Sequence, residues 1–161
     1  MHFAISIRIA VAASFAAGLV HAGKVGDAIV QNNCHNKVYL WSVGGSVGER
    51  QTLEPGDQYV EKLHYDDTSG GISIKITRTK NGLYDGSPQL NFQYALTDHL
   101  YYALSAVFGN PFSSDTLLVH PSVDTCNNIC WVERDWTKAR EQTETCSTNA
   151  DITLVLCAES C

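Results

Sequence analysis

The residues of this chain that could do chemistry are few and scattered. Gly44-Gly45-Ser46-Val47-Gly48 has the G-x-S-x-G form of a serine nucleophile elbow. That motif needs a strand before it and a helix after it. Here Glu49 to Glu54 leads to Pro55, which leaves little room for a helix, so a glycine-rich hairpin loop is the expectation. His35, His64, His99 and His120 form neither H-x-H nor H-E-x-x-H, and they read as surface or internally satisfied side chains. His21 could open a copper-binding chain only if a leader were cut after Val20, where the small-residue rule is poorly met. No metal or cofactor site is expected. Glu61, Asp66, Asp67, Asp98, Asp115 and Asp124 could in principle supply the carboxylate pair of glycoside hydrolysis. Their spacing fixes no pair, and solvated loop acids are the simpler reading. Tyr39, Trp41, Tyr59, Tyr65 and Tyr84 could stack on sugar rings, although core placement is expected for most. Tyr65, Asp66, Asp67 and Tyr84 are therefore the candidate ligand-binding residues.

The elements that must position these residues are β-like. Ala28–Asn32, Lys37–Val43, Gln58–Tyr65, Leu90–Leu96, Leu100–Val107, Thr116–His120 and Ile152–Cys157 are short β-rich runs. Ile72, Ile74 and Ile76 alternate with Ser73, Lys75 and Thr77, as a half-buried strand does. Gly44–Gly48, Glu54-Pro55-Gly56-Asp57, Asp66–Gly71 and Asp85-Gly86-Ser87-Pro88 read as turns, and Asn81-Gly82 as a hairpin turn with both residues at positive φ. Turn signals every 8–12 residues or so point to a sandwich or barrel. Only the polar stretch Trp131–Thr145 looks helical, and a short surface helix or ordered loop is expected there. Repeats, low-complexity tracts, interdomain linkers and Asn-x-Ser/Thr sites are absent from the sequence.

Met1–Ala22 has the parts of a secretory signal: Arg8, an uncharged run Ile9–Val20, and Val20-His21-Ala22 at the cut. Its apolar run is too short to span a bilayer. Cleavage after Ala22 is expected to leave Gly23–Cys161 as a single domain. All six cysteines, Cys34, Cys126, Cys130, Cys146, Cys157 and Cys161, lie in that part. An even count in an oxidising compartment reads as three disulfides. Only Cys126-x3-Cys130 has zinc-site spacing, and nothing downstream completes it. Six cysteines allow 15 connectivities by sequence alone.

The chain is 161 residues long, 44% hydrophobic and only 17% charged, which excludes a highly charged disordered polymer. Its 11 basic and 17 acidic residues give a net charge of -6. Loss of Arg8 with the leader leaves 10 basic against 17 acidic residues, a charge of -7. So acidic a chain is not expected to bind nucleic acid. A secreted monomer without a membrane span is the expectation.

Ala28-Ile29-Val30-Gln31-Asn32-Asn33-Cys34, followed by Val38-Tyr39-Leu40-Trp41, resembles the opening strands of thaumatin-like proteins. Leu53–Gly56, Gly70-Gly71-Ile72-Ser73-Ile74 and Phe92-Gln93-Tyr94-Ala95-Leu96 continue the resemblance in order. Tyr102–Phe112 is similar to the family's Tyr-Asp-x-Ser-x-Val-Asp-Gly-Phe-Asn-x-Pro stretch. The short length, Gly109-Asn110-Pro111-Phe112 and the closing Asp151–Cys157 look most like a small fungal subgroup, the Blastomyces yeast-phase-specific protein (Bys1-type) family. The resemblance implies an antiparallel β-sandwich, an extracellular or cell-wall location and affinity for β-glucan. It also implies an acidic cleft, but the cleft acids fall here at Gln93, Ala103 and Phe108, none of which titrates.

The expected function is therefore a secreted, non-enzymatic fungal protein. Its partner is a cell-wall polysaccharide such as β-glucan, or a host or competitor protein. A weak endo-β-1,3-glucanase and a structural or antigenic surface protein are the alternatives. In the thaumatin-like pattern the first cysteine pairs with the one closing the last strand, which implies Cys34–Cys157, with Cys161 as the rival partner. Cys130–Cys146, pinning the polar segment, and Cys126–Cys161, anchoring the tail, are then expected for the rest.

Overall fold

Alternation of buried and outward-facing residues orders most of the strands. The structure, a computed structural model, describes residues 24–132 and 142–161. The expected leader lies outside the described residues. Among the described residues eleven strands run in order: β1 (Asp27–Asn32), β2 (Val38–Val43), β3 (Gln51–Leu53), β4 (Gln58–Lys62), β5 (Ile72–Thr77), β6 (Gln89–Leu96), β7 (Leu100–Val107), β8 (Leu117–Pro121), β9 (Ile129–Trp131), β10 (Gln142–Cys146) and β11 (Ile152–Leu156). They form two sheets, β4-β1-β11-β8-β9 and β10-β7-β6-β5-β2-β3. All pairings are antiparallel except one, since the first strand lies parallel to the last.

The core is the space between the sheets. Val30, Ile152 and Leu154 meet Leu40, Ile74, Ile76, Phe92 and Leu104, all wholly buried. The alternation of β5 holds throughout: Ile72, Ile74 and Ile76 face the interior, and Ser73 and Lys75 face out. Cys34 and Cys157 join the ends of β1 and β11 with Cα atoms 5.0 Å apart.

Several expectations need correction. The stretch Trp131–Thr145 is strand at both described ends, Trp131 closing β9 and Gln142–Cys146 forming β10. Thr143 and Thr145 alternate there with Cys146 and Glu144, and the whole run pairs with β7. Residues 133–141 lie outside the described residues. The expected Cys130–Cys146 and Cys126–Cys161 pairings are replaced by Cys126–Cys146 and Cys130–Cys161. Cys130 lies between the buried Ile129 and Trp131 on β9, so the strand alternation turns it away from the interior. Cys146 faces the interior and meets Cys126 in the β8–β9 connection.

Asn81-Gly82 does not join β5 to β6 as a two-residue turn. It sits within a longer excursion, residues 78–88, and Gly82 is not at positive φ. A Cβ on Gly82 would lie 2.5 Å from Thr77 Oγ1, so the glycine permits close approach of backbone to strand. Gln89 Nε2 holds this excursion down by donating to the carbonyls of Gly82 and Leu83. Arg78 anchors its start: Nε donates to Pro111 O at 2.8 Å, a terminal nitrogen pairs with Asp115 at 2.7 Å, and the guanidinium lies over the Phe112 ring.

Candidate functional site

The excursion 78–88 covers part of the outer face of the six-stranded sheet. Trp41 points outward from β2, yet it is buried, with Tyr84 packed edge-on against it. The rest of that face is an open groove of about 490 Å³ over β5, β6, β7 and β10. Its floor is one cross-strand row, because Ser73 pairs with Gln93, Gln93 with Ala103, and Ala103 with Thr143. Val43, Ala95 and Tyr101 give it apolar walls, and Ser69-Gly70-Gly71 closes one end. Among the described residues, none that lines it is Asp or Glu. Two of the three positions at which the resemblance places acids, Gln93 and Ala103, are thus neighbours on the groove floor. Phe108 sits beyond the end of β7, exposed, at a φ of 60°.

Asp66 braces the closing loop and is taken up by that work. One of its oxygens accepts from the Ser69 amide at 2.7 Å, the Ser69 hydroxyl at 2.9 Å and the Thr68 amide at 3.1 Å. The Gly45 amide donates to the carboxylate from the opposite loop. These donors, the Ser69 amide foremost, hold the carboxyl down to about 2. A carboxyl depressed below its unfolded value near 4 stabilises its loop above about pH 4, and that support is lost as pH falls through about 2. The Ser69 and Gly45 amide signals should therefore shift together in an NMR titration with a midpoint near pH 2. A midpoint near 4 would contradict this bracing role.

The other candidates do not assemble with it. Tyr65 and Tyr84 are 60% and 73% exposed, Asp67 is exposed, and none of the three lines the groove. Glu61 accepts from Tyr59 Oη at 2.6 Å and from Tyr94 Oη at 2.8 Å, on the side where β4 faces the other sheet. Tyr94 Oη also lies 3.1 Å from His64 Nδ1. Burial and the adjacent carboxylate push both tyrosine hydroxyls far up. Asp115 pairs with Arg78, and Asp98 accepts from the Thr97 hydroxyl in the β6–β7 turn. Glu61, Asp66, Asp98 and Asp115 thus have their own partners at separate places, and no two of them form a pair. Gly44–Gly48 is a hairpin loop, with Gly48 N donating to Ser42 O and no helix after it. Among the described residues no group of three His, Cys, Asp or Glu could hold a metal, and no helix is long and apolar enough to cross a membrane.

Tyr101, Ser73 and Thr143 escaped sequence reasoning. The alternation in β7 does place Tyr101, Ala103, Ser105 and Val107 on one face. Only the position of the second sheet shows that this face is the open one.

Two facing, mostly antiparallel sheets, with the chain ends tied together and a groove on the outside of the larger sheet, define a thaumatin-like β-sandwich. In fold the chain is similar to the protein elicitor MoHrip2 from Magnaporthe oryzae, at a TM-score of 0.69 and 24% identity over 83% of this chain and 99% of that one. It is also similar to the thaumatin-like xylanase inhibitor TLXI, at 0.55 and 12% over 81% and 99%. The model of the Blastomyces yeast-phase-specific protein family, Bys1, matches residues 15–158, and the chain belongs to that family. An antigenic thaumatin-like protein of Arthroderma benhamiae is 30% identical over 94% of this chain and 81% of its own length. The secreted thaumatin-like protein calA of Emericella nidulans is 31% identical, covering 81% of each. Three disulfides fit an extracellular protein.

Proposed function

We propose that this chain is a secreted, non-hydrolytic binding protein, cut after Ala22, whose groove takes a neutral polysaccharide of its own wall or of a host or competitor. The observation that carries the reading is the floor row Ser73–Gln93–Ala103–Thr143. It sets two hydroxyls, an amide and a methyl, none of them titratable, where an acid–base pair would have to stand. Tyr101, 39% exposed beside that row, supplies a ring face for a sugar. Uncharged hydrogen-bonding groups beside an aromatic suit a hydroxyl-rich, uncharged ligand. Hydrolysis of either stereochemistry needs two carboxyl groups flanking one bond. The described lining residues contain none, and Glu61 is engaged by two tyrosines on the other side of the sheet.

Incubation with insoluble β-glucan, chitin and cellulose tests the reading. Retention on at least one polymer is expected, cut several-fold by Tyr101→Ala, with no reducing sugar released from laminarin. Turnover abolished by a single Asp or Glu substitution, or no retention on any polymer, would overturn it.

A further inference from the structure

A directed chain of hydrogen bonds runs along the outer face of the sheet, beside the groove floor. Lys75 Nζ donates to Asn91 Oδ1 at 3.4 Å, Asn91 Nδ2 to Ser105 Oγ at 3.4 Å, and Ser105 Oγ to Gln93 Oε1 at 3.1 Å. An ammonium has donors and no acceptor. Lys75 therefore fixes which way the Asn91 amide faces. That amide then donates to Ser105, so the Ser105 proton is spent on Gln93. The Gln93 carbonyl is occupied by the Ser105 hydroxyl beside it, and its NH2 is left to donate. Among the described residues no side chain accepts from that NH2. Across the strand pair, Ser73 Oγ is buried without any hydrogen-bond partner. An unpaired buried polar atom is costly unless something supplies the partner.

Donor character at Gln93 is a choice between ligands. A plain glucan presents hydroxyls, which donate and accept alike, so the orientation of one amide matters little to it. An N-acyl group presents a carbonyl that only accepts, with a methyl beside it. Gln93 Nε2 meets the first need, and the methyl groups of Val43, Ala95 and Ala103 around it meet the second. We infer that the groove selects an N-acylated amino-sugar polymer over an unsubstituted glucan, with Gln93 as the specificity-determining residue. This rests on the groove being the polysaccharide site proposed above.

Calorimetric titration of the mature protein with the hexamers of β-1,4-N-acetylglucosamine and of β-1,3-glucose tests it. The acylated hexamer should bind about tenfold more tightly, the typical worth of one hydrogen bond otherwise left unmade. Gln93→Glu keeps the shape but replaces the donor with an acceptor, and should bring the ratio of the two affinities to about one or below. Lys75→Met frees the amide to turn and should lower the ratio partway. The ratio is the readout because a change that merely loosens the fold moves both affinities together. Thermal unfolding of each variant is recorded alongside. Equal affinities, or tighter glucan binding, in the unaltered protein overturn this inference and leave the groove reading standing. An unchanged ratio in Gln93→Glu removes Gln93 from the role. Binding of neither hexamer overturns this inference, and the groove reading falls with it only if no polymer retains the protein.

Discussion

Replacing Cys34 by Ser should lower the stability of this protein by about 4–5 kcal/mol and its melting temperature by on the order of 15 °C. Cys34 and Cys157 are 123 residues apart in sequence, so their bond closes a loop containing most of the domain. In the chain-entropy view, opening so long a loop releases the unfolded ensemble by roughly that amount. The loss is a large share of a typical total of ~5–15 kcal/mol. The bond also sits where the first and last strands lie in parallel, from Ala28 beside Ile152 to Asn32 beside Leu156. A parallel pair joining the two ends of a chain is the contact of highest sequence separation, and the link spares folding most of that search. The Arg78 guanidinium lies about 4 Å from both sulfurs, so the half-cystine site also borders the anchor of the 78–88 excursion. Thermal unfolding of Cys34→Ser, and of Cys34→Ala with Cys157→Ala to avoid a stray thiol, measures the effect. A loss below about 1 kcal/mol in both variants would show that strand pairing alone closes the domain.

Phe92→Ala should cost about 3–5 kcal/mol, while Phe108→Gly should cost nothing or add stability. Phe92 is wholly buried at the centre of β6, opposite Leu104 on β7 and Ile74 on β5. Truncating it removes the apolar surface it buries and leaves a cavity that strands on both sides hold open. Phe108 is 68% exposed and sits at a φ of 60°, a region that a bulky side chain enters only under strain. Glycine adopts that conformation without strain, although its freer unfolded state offsets part of the gain. Equilibrium urea unfolding of the two variants compares them directly. Equal losses would show that Phe108 is held by packing, against its exposure.

Local pattern is enough to place most of this fold. The strict alternation of Ile72-Ser73-Ile74-Lys75-Ile76, the β-branched runs at Ala28–Asn32 and Ile152–Leu156, and the spacing of turns specify a β-sandwich, because a strand that buries one face must alternate. The motif order Asn32-Asn33-Cys34 through Gly109-Asn110-Pro111-Phe112 points to the family. The missing acids at Gln93 and Ala103 are also legible, since residue type decides whether a group titrates. Tertiary structure decides the rest. β3, β9 and β10 are short or polar and exist because a neighbouring strand completes their hydrogen bonds, which no local window contains. The partners of Cys130 and Cys146 follow from which side of its strand each half-cystine occupies. Trp41 and Tyr101 both point away from the second sheet, and the excursion 78–88, folding back over one and leaving the other bare, makes the first a buried residue outside the core and the second a wall of the groove. Exposure is a property of what covers a residue, and the covering segment lies some 40 positions from Trp41 and about 15 from Tyr101 along the chain, beyond the reach of the two-residue period that orders a strand.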